Sequence, residues 1–311
     1  MDMRPLGGSG LETPRLVLGG NVFGFTAKGE DAYRILDRFA EAGGTMIDTA
    51  DVYSKWVPGH VGGESETLLG EWLKRRGGQR GVAIATKVGY DAGLSAGEIA
   101  RAADGSLKRL GVETIDLYYA HKDDPETPLE ETLAAFDRLV KAGKVRAIGA
   151  SNYSAGRLAQ ALDLSEGEGL PRYEVLQPEY NLMVRDSFEG PLQQLCIDRG
   201  IGVLPYFGLA SGFLTGKYRS AEDKAKSVRG PRMDAYLNAR GFAVLAALDE
   251  VAAETGATPA QVALAWLAAQ PGITAPIASA TSAEQLEDLL GVLTLELSRE
   301  QLDRLSATSA A

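Results

Sequence analysis

The 311-residue chain predicts an α/β fold, a (β/α)8 TIM barrel with an N-terminal β-hairpin cap, as a single domain over residues 1–311. Two observations carry that reading. Short apolar or β-branched runs alternate with amphipathic stretches roughly eight times, at intervals of about 30 residues, as parallel strands joined by right-handed helical crossovers do. The open-sheet alternative lacks its marker: no GxGxxG follows the first strand with an acidic residue about 20 positions on.

The elements follow in order. MRPLG and LETPR flank GGSG, a hairpin turn, and RLVLGGNVFG is the first barrel strand. A helix near Glu30–Ala42 carries the apolar stripe Ala32, Ile35, Leu36 and Phe39, and Gly43–Gly44 stop it. TMIDTA is the second strand. A helix over about Glu66–Arg76 leads to VAIATKV, and one capped by Ser95 with Glu98 leads to IDLYYAH. Thr127-Pro128-Leu129-Glu130 caps a helix whose Leu133, Phe136 and Val140 face inward, before strand VRAIGAS. A helix after Ser154 leads to strand VLQPEYN, one near Gln193 leads to GVLPYFG, and ITAPIAS is the last strand. Thr258–Gln261 and Ser282–Gln285 read as capping boxes. The interval from Leu209 to about Leu237 is charged and weakly periodic, the pattern of a lid or disordered loop.

Composition narrows the function. Hydrophobic residues are 45% and charged residues 24%, a globular profile with a sizeable core. A net charge of -10 without any Lys/Arg run argues against nucleic acid. No stretch has the length of a membrane span or reads as a signal segment, so a cytoplasmic protein is expected. The single cysteine, Cys196, beside Leu192, Leu195 and Ile197, reads as part of a buried helix face. Two histidines and one cysteine offer no metal-ligand spacing.

Chemistry gathers at strand ends, where barrels of this class carry it. Asp48 with Tyr53, then Lys87, then His121 end successive strands. A phenol, whose ordinary pKa is about 10, needs a nearby ammonium to release a proton at neutral pH. A carboxylate holds that ammonium and an imidazole orients a carbonyl oxygen. Taken singly, each residue reads more readily as a cap, a packing ring or an ion-pair partner. Together they read as a carbonyl-reduction site.

The segments IDTADVYS, GGESETLLG, IATKVG, LYYAHKDD, IGASNYS, QPEYNLM and YFGLASGFLTGKY resemble those of the aldo-keto reductases, over essentially the whole chain. The resemblance implies Asp48, Tyr53, Lys87 and His121 as the catalytic tetrad. It implies a nicotinamide dinucleotide across the barrel mouth, with Ser151, Asn152 and Gln177 on the carboxamide and Tyr206 stacked on the ring. Leu209, Ser211, Gly212, Leu214 and Lys217 match the loop along the pyrophosphate, and Gly20 and Asn21 complete the cofactor set. Phe207-Gly208 replaces the Ser-Pro common in relatives, which suggests a looser loop. Where many relatives place Lys or Arg against the 2′-phosphate of NADP, this chain has Ser279, Thr281, Ser282, Gln285 and Asp288. NADP is expected from the family, with NAD left open.

Phe23, Trp56 and Tyr90 are expected to form an apolar pocket wall, and His60 to stand with Trp56 at its rim or in a solvated loop. The expected activity is reversible reduction of aldehydes or ketones, acting on a small-molecule carbonyl or alcohol without nucleic acid or membrane. The rival readings are an NAD-dependent sugar or secondary-alcohol dehydrogenase and a nucleotide-binding regulatory subunit. Substrate identity and oligomeric state are not encoded in any motif.

Overall fold

Eight parallel strands curl into a barrel in the computed structural model, which describes residues 2–227 and 229–310. A hairpin precedes them: β1 (Arg4–Pro5) pairs antiparallel with β2 (Glu12–Thr13). The barrel strands are β3 (Val17–Gly19), β4 (Met46–Asp48), β5 (Ala83–Val88), β6 (Ile115–Ala120), β7 (Val145–Ser151), β8 (Tyr173–Gln177), β9 (Gly202–Val203) and β10 (Ile277–Ala278). They neighbour one another in chain order, and β10 pairs with β3. The last two are short because Pro205 and Pro276 beside them donate nothing to a ladder. The ring closes through Thr274 N–H to Val203 O and Ile277 N–H to Pro205 O, both 2.9 Å.

Ten α-helices among the described residues surround the strands: α1 (Gly29–Glu41), α2 (Glu64–Arg76), α3 (Ala96–Leu110), α4 (Leu129–Lys141), α5 (Ala155–Glu168), α6 (Pro191–Asp198), α7 (Ala239–Thr255), α8 (Pro259–Ala268), α9 (Ala283–Leu290) and α10 (Arg299–Thr308). The predicted stripe of α1 is wholly buried. Capping departs from expectation at several helices. Pro128, not Thr127, is the N-cap of α4, because the Thr127 hydroxyl donates to Asp124 at 2.7 Å. Ser95 accepts from Glu98 N–H without the reciprocal bond, while Ser298 and Gln301 form a full box that was not foreseen. On α6 Cys196 is buried, yet Ile197 is 45% exposed, so the apolar face is narrower than the run of residues suggests.

The barrel interior is filled from below. Leu6 and Leu11 of the hairpin pack with Val17, Met46, Leu117, Tyr119, Val175, Leu204 and Ile277. The cap is therefore a plug, and the strand ends opposite it form the only rim on which the site is built. The interval after β9 is three short 3-10 helices, Ala210–Thr215, Glu222–Lys226 and Gly230–Ala235, anchored by buried Phe213, Leu214, Tyr218 and Met233. Its weak periodicity reflects 3-10 turns, whose repeat differs from that of an α-helix.

Helices α2 and α3 touch through Gly70, where an added Cβ would lie 2.1 Å from Arg109 O. Gly70→Ala is expected to destabilise by about 1–3 kcal/mol through overpacking, outweighing the ~1 kcal/mol that alanine normally adds to a helix. A urea midpoint equal to or above the parent's would show that the two helices can spread.

Candidate active site

A fully buried ammonium sits at the centre of the rim. Lys87 Nζ, at the end of β5, donates to Asp48 Oδ2 (2.5 Å), Thr49 O (2.6 Å) and Tyr53 Oη (3.0 Å). Its three donors thus meet three acceptors, the condition for burying such a charge without a large desolvation loss. Burial nevertheless holds Lys87 below the ordinary amine range, with Asp48 opposing. The other Asp48 oxygen accepts from Gln177 Nε2 at 2.7 Å. Asp48, Tyr53 and Lys87 are brought together as the sequence predicts.

Tyr53 behaves differently from the simple expectation. Burial first, then the Asp48 carboxylate, pushes its phenol well above the usual value. The Lys87 charge is offset by Asp48, so in the protein alone the phenol stays protonated and is poised as a donor. The His121 ring lies 6.1 Å from that of Tyr53, centroid to centroid. Burial, then Lys87 and Lys122, holds the imidazole well below its ordinary pKa, so it is neutral at physiological pH.

The motif GGESET braces the strand ends that carry Asp48 and Lys87. Gly20 N–H donates to Asp48 O (2.6 Å), and a Cβ at Gly20 would stand 2.7 Å from that oxygen. Ser65 accepts from Thr49 Oγ1 (2.8 Å) and donates to Gly20 O (2.7 Å), tying β3 to β4. Buried Glu66 accepts from Thr86 Oγ1 (2.5 Å) and Arg109 Nε (2.6 Å), tying β5 to α3. Gly63, with φ 85°, leaves room for that Arg109, whose Nε would be 2.5 Å from a Cβ there. The one available signal was polarity inside a helix start that otherwise faces the core.

The substrate side needs one correction. Phe23 is 0% exposed and packs in the core beneath α1 and α2, while its carbonyl accepts from Ser54 Oγ at 3.0 Å. Phe25, two residues on, faces the mouth instead, 6.1 Å from Trp56. Trp56 also meets Tyr53 (6.1 Å), and Tyr90 lies 4.9 Å from His121. His60 turns back toward Glu64, 4.0 Å away, rather than standing beside Trp56.

Comparison with known proteins follows this geometry. The sequence model of the Aldo/keto reductase family matches residues 15–310. The chain belongs to that family. It is 34% identical to "Uncharacterized oxidoreductase YrpG" of Bacillus subtilis, over 98% of this chain and 95% of that one. It is 32% identical to "Aldo-keto reductase yakc [NADP(+)]" of Schizosaccharomyces pombe (85% and 78% covered) and 31% to "Probable voltage-gated potassium channel subunit beta" of Arabidopsis thaliana (93% and 90%). The chain is an NAD(P)H-dependent oxidoreductase by this membership. No helix of the described residues is long and apolar enough to cross a membrane.

The residues an aldo-keto reductase would turn toward its cofactor are linked to one another. Ser151 Oγ donates to Gln177 O (2.8 Å); Asn152 Nδ2 donates to His121 O (3.0 Å) and Ser151 Oγ (3.1 Å); Tyr206 Oη donates to Asn152 Oδ1 (2.8 Å). Asn152 holds a left-handed φ of 58° to do so. Gln177 Nε2 gives one of its two N–H donors to Asp48. Phe207, Ala210 and Ser211 are also left-handed, with φ of 55°, 47° and 57°, an unusual cluster of the kind found at ligand loops. Lys217 Nζ folds back over Gly212, where a Cβ would lie 3.4 Å from it. Leu209 O receives Gly212 N–H at 2.8 Å, but Leu214 is buried and offers only backbone to a ligand. Gly208 packs against Leu264 (2.9 Å from a Cβ) and Leu267.

At the last strand Ser279 donates to Asn21 Oδ1 (2.8 Å), and Thr281 N–H and Oγ1 both donate to Gln285 Oε1 (2.9 Å). Ser282 caps α9 by accepting from Gln285 N–H, without closing the predicted box. Asp288 accepts from Thr258 at 2.8 Å and Glu287 pairs with Arg38. Asp288 and Glu287 are thus both engaged by groups outside α9.

One more acid lies in the loop between Asp48 and Tyr53. Burial, then Glu66, pushes Asp51 up to about 7, with Arg109 opposing. The unfolded chain ionises this carboxyl first as pH rises, so wild type loses stability between pH 3.8 and about 7. The stability of Asp51→Asn relative to wild type should therefore grow across that window and level off above it. Melting temperatures of both proteins from pH 4 to 9 check this; a gap independent of pH would place Asp51 among ordinary surface acids.

Proposed function

We propose that this single-domain reductase converts aldehyde and ketone carbonyls to alcohols, reversibly, using NADPH in preference to NADH in the cytoplasm. The observation that carries the reading is the saturated ammonium of Lys87, which donates to both Asp48 and Tyr53. Ser151, Asn152, Gln177, Tyr206, the Gly212–Lys217 loop and the 279–285 segment would hold the cofactor. A reduced nicotinamide bound there supplies hydride to the carbonyl carbon. Neutral His121 donates a hydrogen bond to the carbonyl oxygen and orients it toward Tyr53. Tyr53 then gives its proton to the developing alkoxide, and Lys87 stabilises the phenolate left behind. Asp48 keeps Lys87 aimed at that oxygen and is itself aimed by Gln177.

Phe25, Trp56 and Tyr90 give the mouth an aromatic wall, which favours aryl or bulky apolar carbonyls over small hydrophilic ones. The sugar-dehydrogenase reading is the reverse reaction of the same site. A regulatory nucleotide-binding subunit would have no need of a Tyr53–Lys87–Asp48 relay, and its presence favours turnover.

Tyr53→Phe should lower reduction by 10² or more, with cofactor affinity near that of wild type, because the ring stays and only the hydroxyl goes; a loss of about tenfold or less would remove Tyr53 as the acid. Lys87→Met should cripple turnover at every pH, and wild-type rates near neutrality would make Lys87 a purely structural residue.

Cofactor choice has its own test. Glu284 is an exposed first-turn acid of α9 with no ion-pair partner among the described residues. Glu284→Ala is expected to tighten NADP(H) several-fold and leave NAD(H) unchanged, read as dissociation constants by fluorescence titration. Equal changes for both cofactors would move the 2′-phosphate away from α9.

A further inference from the structure

The parallel pairing of β8 with β9 runs on past the ends of both strands. Tyr206 N–H donates to Pro178 O at 2.9 Å, and Tyr180 N–H donates to Tyr206 O at 3.5 Å. At Phe207 the pattern breaks. The backbone there turns left-handed, with φ 55°, a conformation disfavoured for any residue with a bulky side chain. The Phe207 carbonyl is held by two donors, Ala210 N–H at 2.7 Å and Asn181 Nδ2 at 3.1 Å. A side-chain amide thus takes over where the backbone pairing stops.

Asn181 is fully buried, and both ends of its amide are engaged. Its Oδ1 accepts from Met183 N–H (2.8 Å) and Val184 N–H (3.0 Å), closing an Asx turn. That turn is fixed from outside by Arg240 Nη1, which donates to Met183 O at 3.1 Å, and by the burial of Leu182 and Met183. The turn needs only the oxygen of the side chain, and the oxygen of an aspartate or a serine serves such turns as well. The nitrogen has a separate use, one residue away from Tyr206. Tyr206 is tied at its far end as well, Oη donating to Asn152 Oδ1 at 2.8 Å, and its ring stands edge-on to that of Phe207 at 5.0 Å.

Resting on the reductase reading above, in which Tyr206 holds the nicotinamide, we propose that Asn181 is a positioning residue that sets the tilt of the Tyr206 ring through the Phe207 carbonyl. The bond from Asn181 Nδ2 keeps Phe207 in its left-handed turn. Without that bond the backbone relaxes toward a conformation that a side chain prefers, and the plane of Tyr206 rotates with it. Being fully buried, Asn181 meets neither cofactor nor substrate, so its influence on the cofactor passes through Tyr206.

The test is a double-mutant cycle on the NADPH affinity of the full chain, read by fluorescence titration. Asn181→Ser and Asn181→Thr keep an oxygen for the turn and are too short to reach Phe207. Each should weaken NADPH by about fivefold or more, within the range of a lost aromatic stack. In a Tyr206→Leu background the same changes should cost less than about twofold, because the ring they aim is gone. Losses that persist undiminished in that background overturn the proposal. So does a lower melting temperature with unchanged NADPH affinity, which would leave Asn181 a turn residue only. If wild type binds no nicotinamide dinucleotide, the reductase reading fails separately, and the crystal structure of cofactor-free Asn181→Ser decides. Tyr206 Oη should there have parted from Asn152 Oδ1, and a Tyr206 ring still in its wild-type place overturns the inference.

Discussion

The buried ammonium of Lys87 is the constraint to which the rest of the site answers. Isolating such a charge from water costs many kcal/mol unless its hydrogens are satisfied. Here the three acceptors come from the end of β4 and the short loop after it. That loop must then be held as firmly as a strand, which is what Ser65, Gly20 and Thr49 accomplish. Asp48 must be kept from rotating away, which Gln177 does from the far side of the barrel, 129 residues later in the chain. The polar brace behind β5, from Thr86 through Glu66 to Arg109, extends the same requirement into the helical layer.

Much of this was legible in the sequence for a simple reason. Strand ends of a parallel barrel converge in space whatever their separation in the chain, so Asp48, Lys87 and His121 could be placed together from counting alone. Helix existence was equally legible: the stripe of Ala32, Ile35, Leu36 and Phe39 has one physical use. What was lost is information that lives between elements. Phe23 and Phe25 are both aromatic in a Gly-rich turn, and only the path of that turn decides which is core and which is mouth. Thr127 looked like a cap because its neighbours fit one, yet Asp124 competes for its hydroxyl.

The acids near α9 show the same limit in electrostatic form. Read along the chain, Glu284, Glu287 and Asp288 are three charges in one place. In space they are dispersed to Arg38 of α1, to Thr258 at the start of α8, and to solvent. Charge counted by sequence proximity overstates the local field whenever helix faces point different ways. Conversely, Asp51 and Glu66 lie 15 positions apart on either side of a glycine-rich turn, and Glu66 takes the guanidinium of Arg109 while Asp51 Oδ1 has no partner.

The N-terminal hairpin gives the molecule a sealed floor. With Leu6 and Leu11 closing the bottom and Tyr119 and Met46 packed above them, apolar side chains fill the barrel axis among the described residues. The approach to Lys87 is then through the doorway at the opposite rim. A tyrosine that has given up its proton is then resupplied only while that doorway is open, which ties the recovery of the acid to the departure of whatever last stood in front of it.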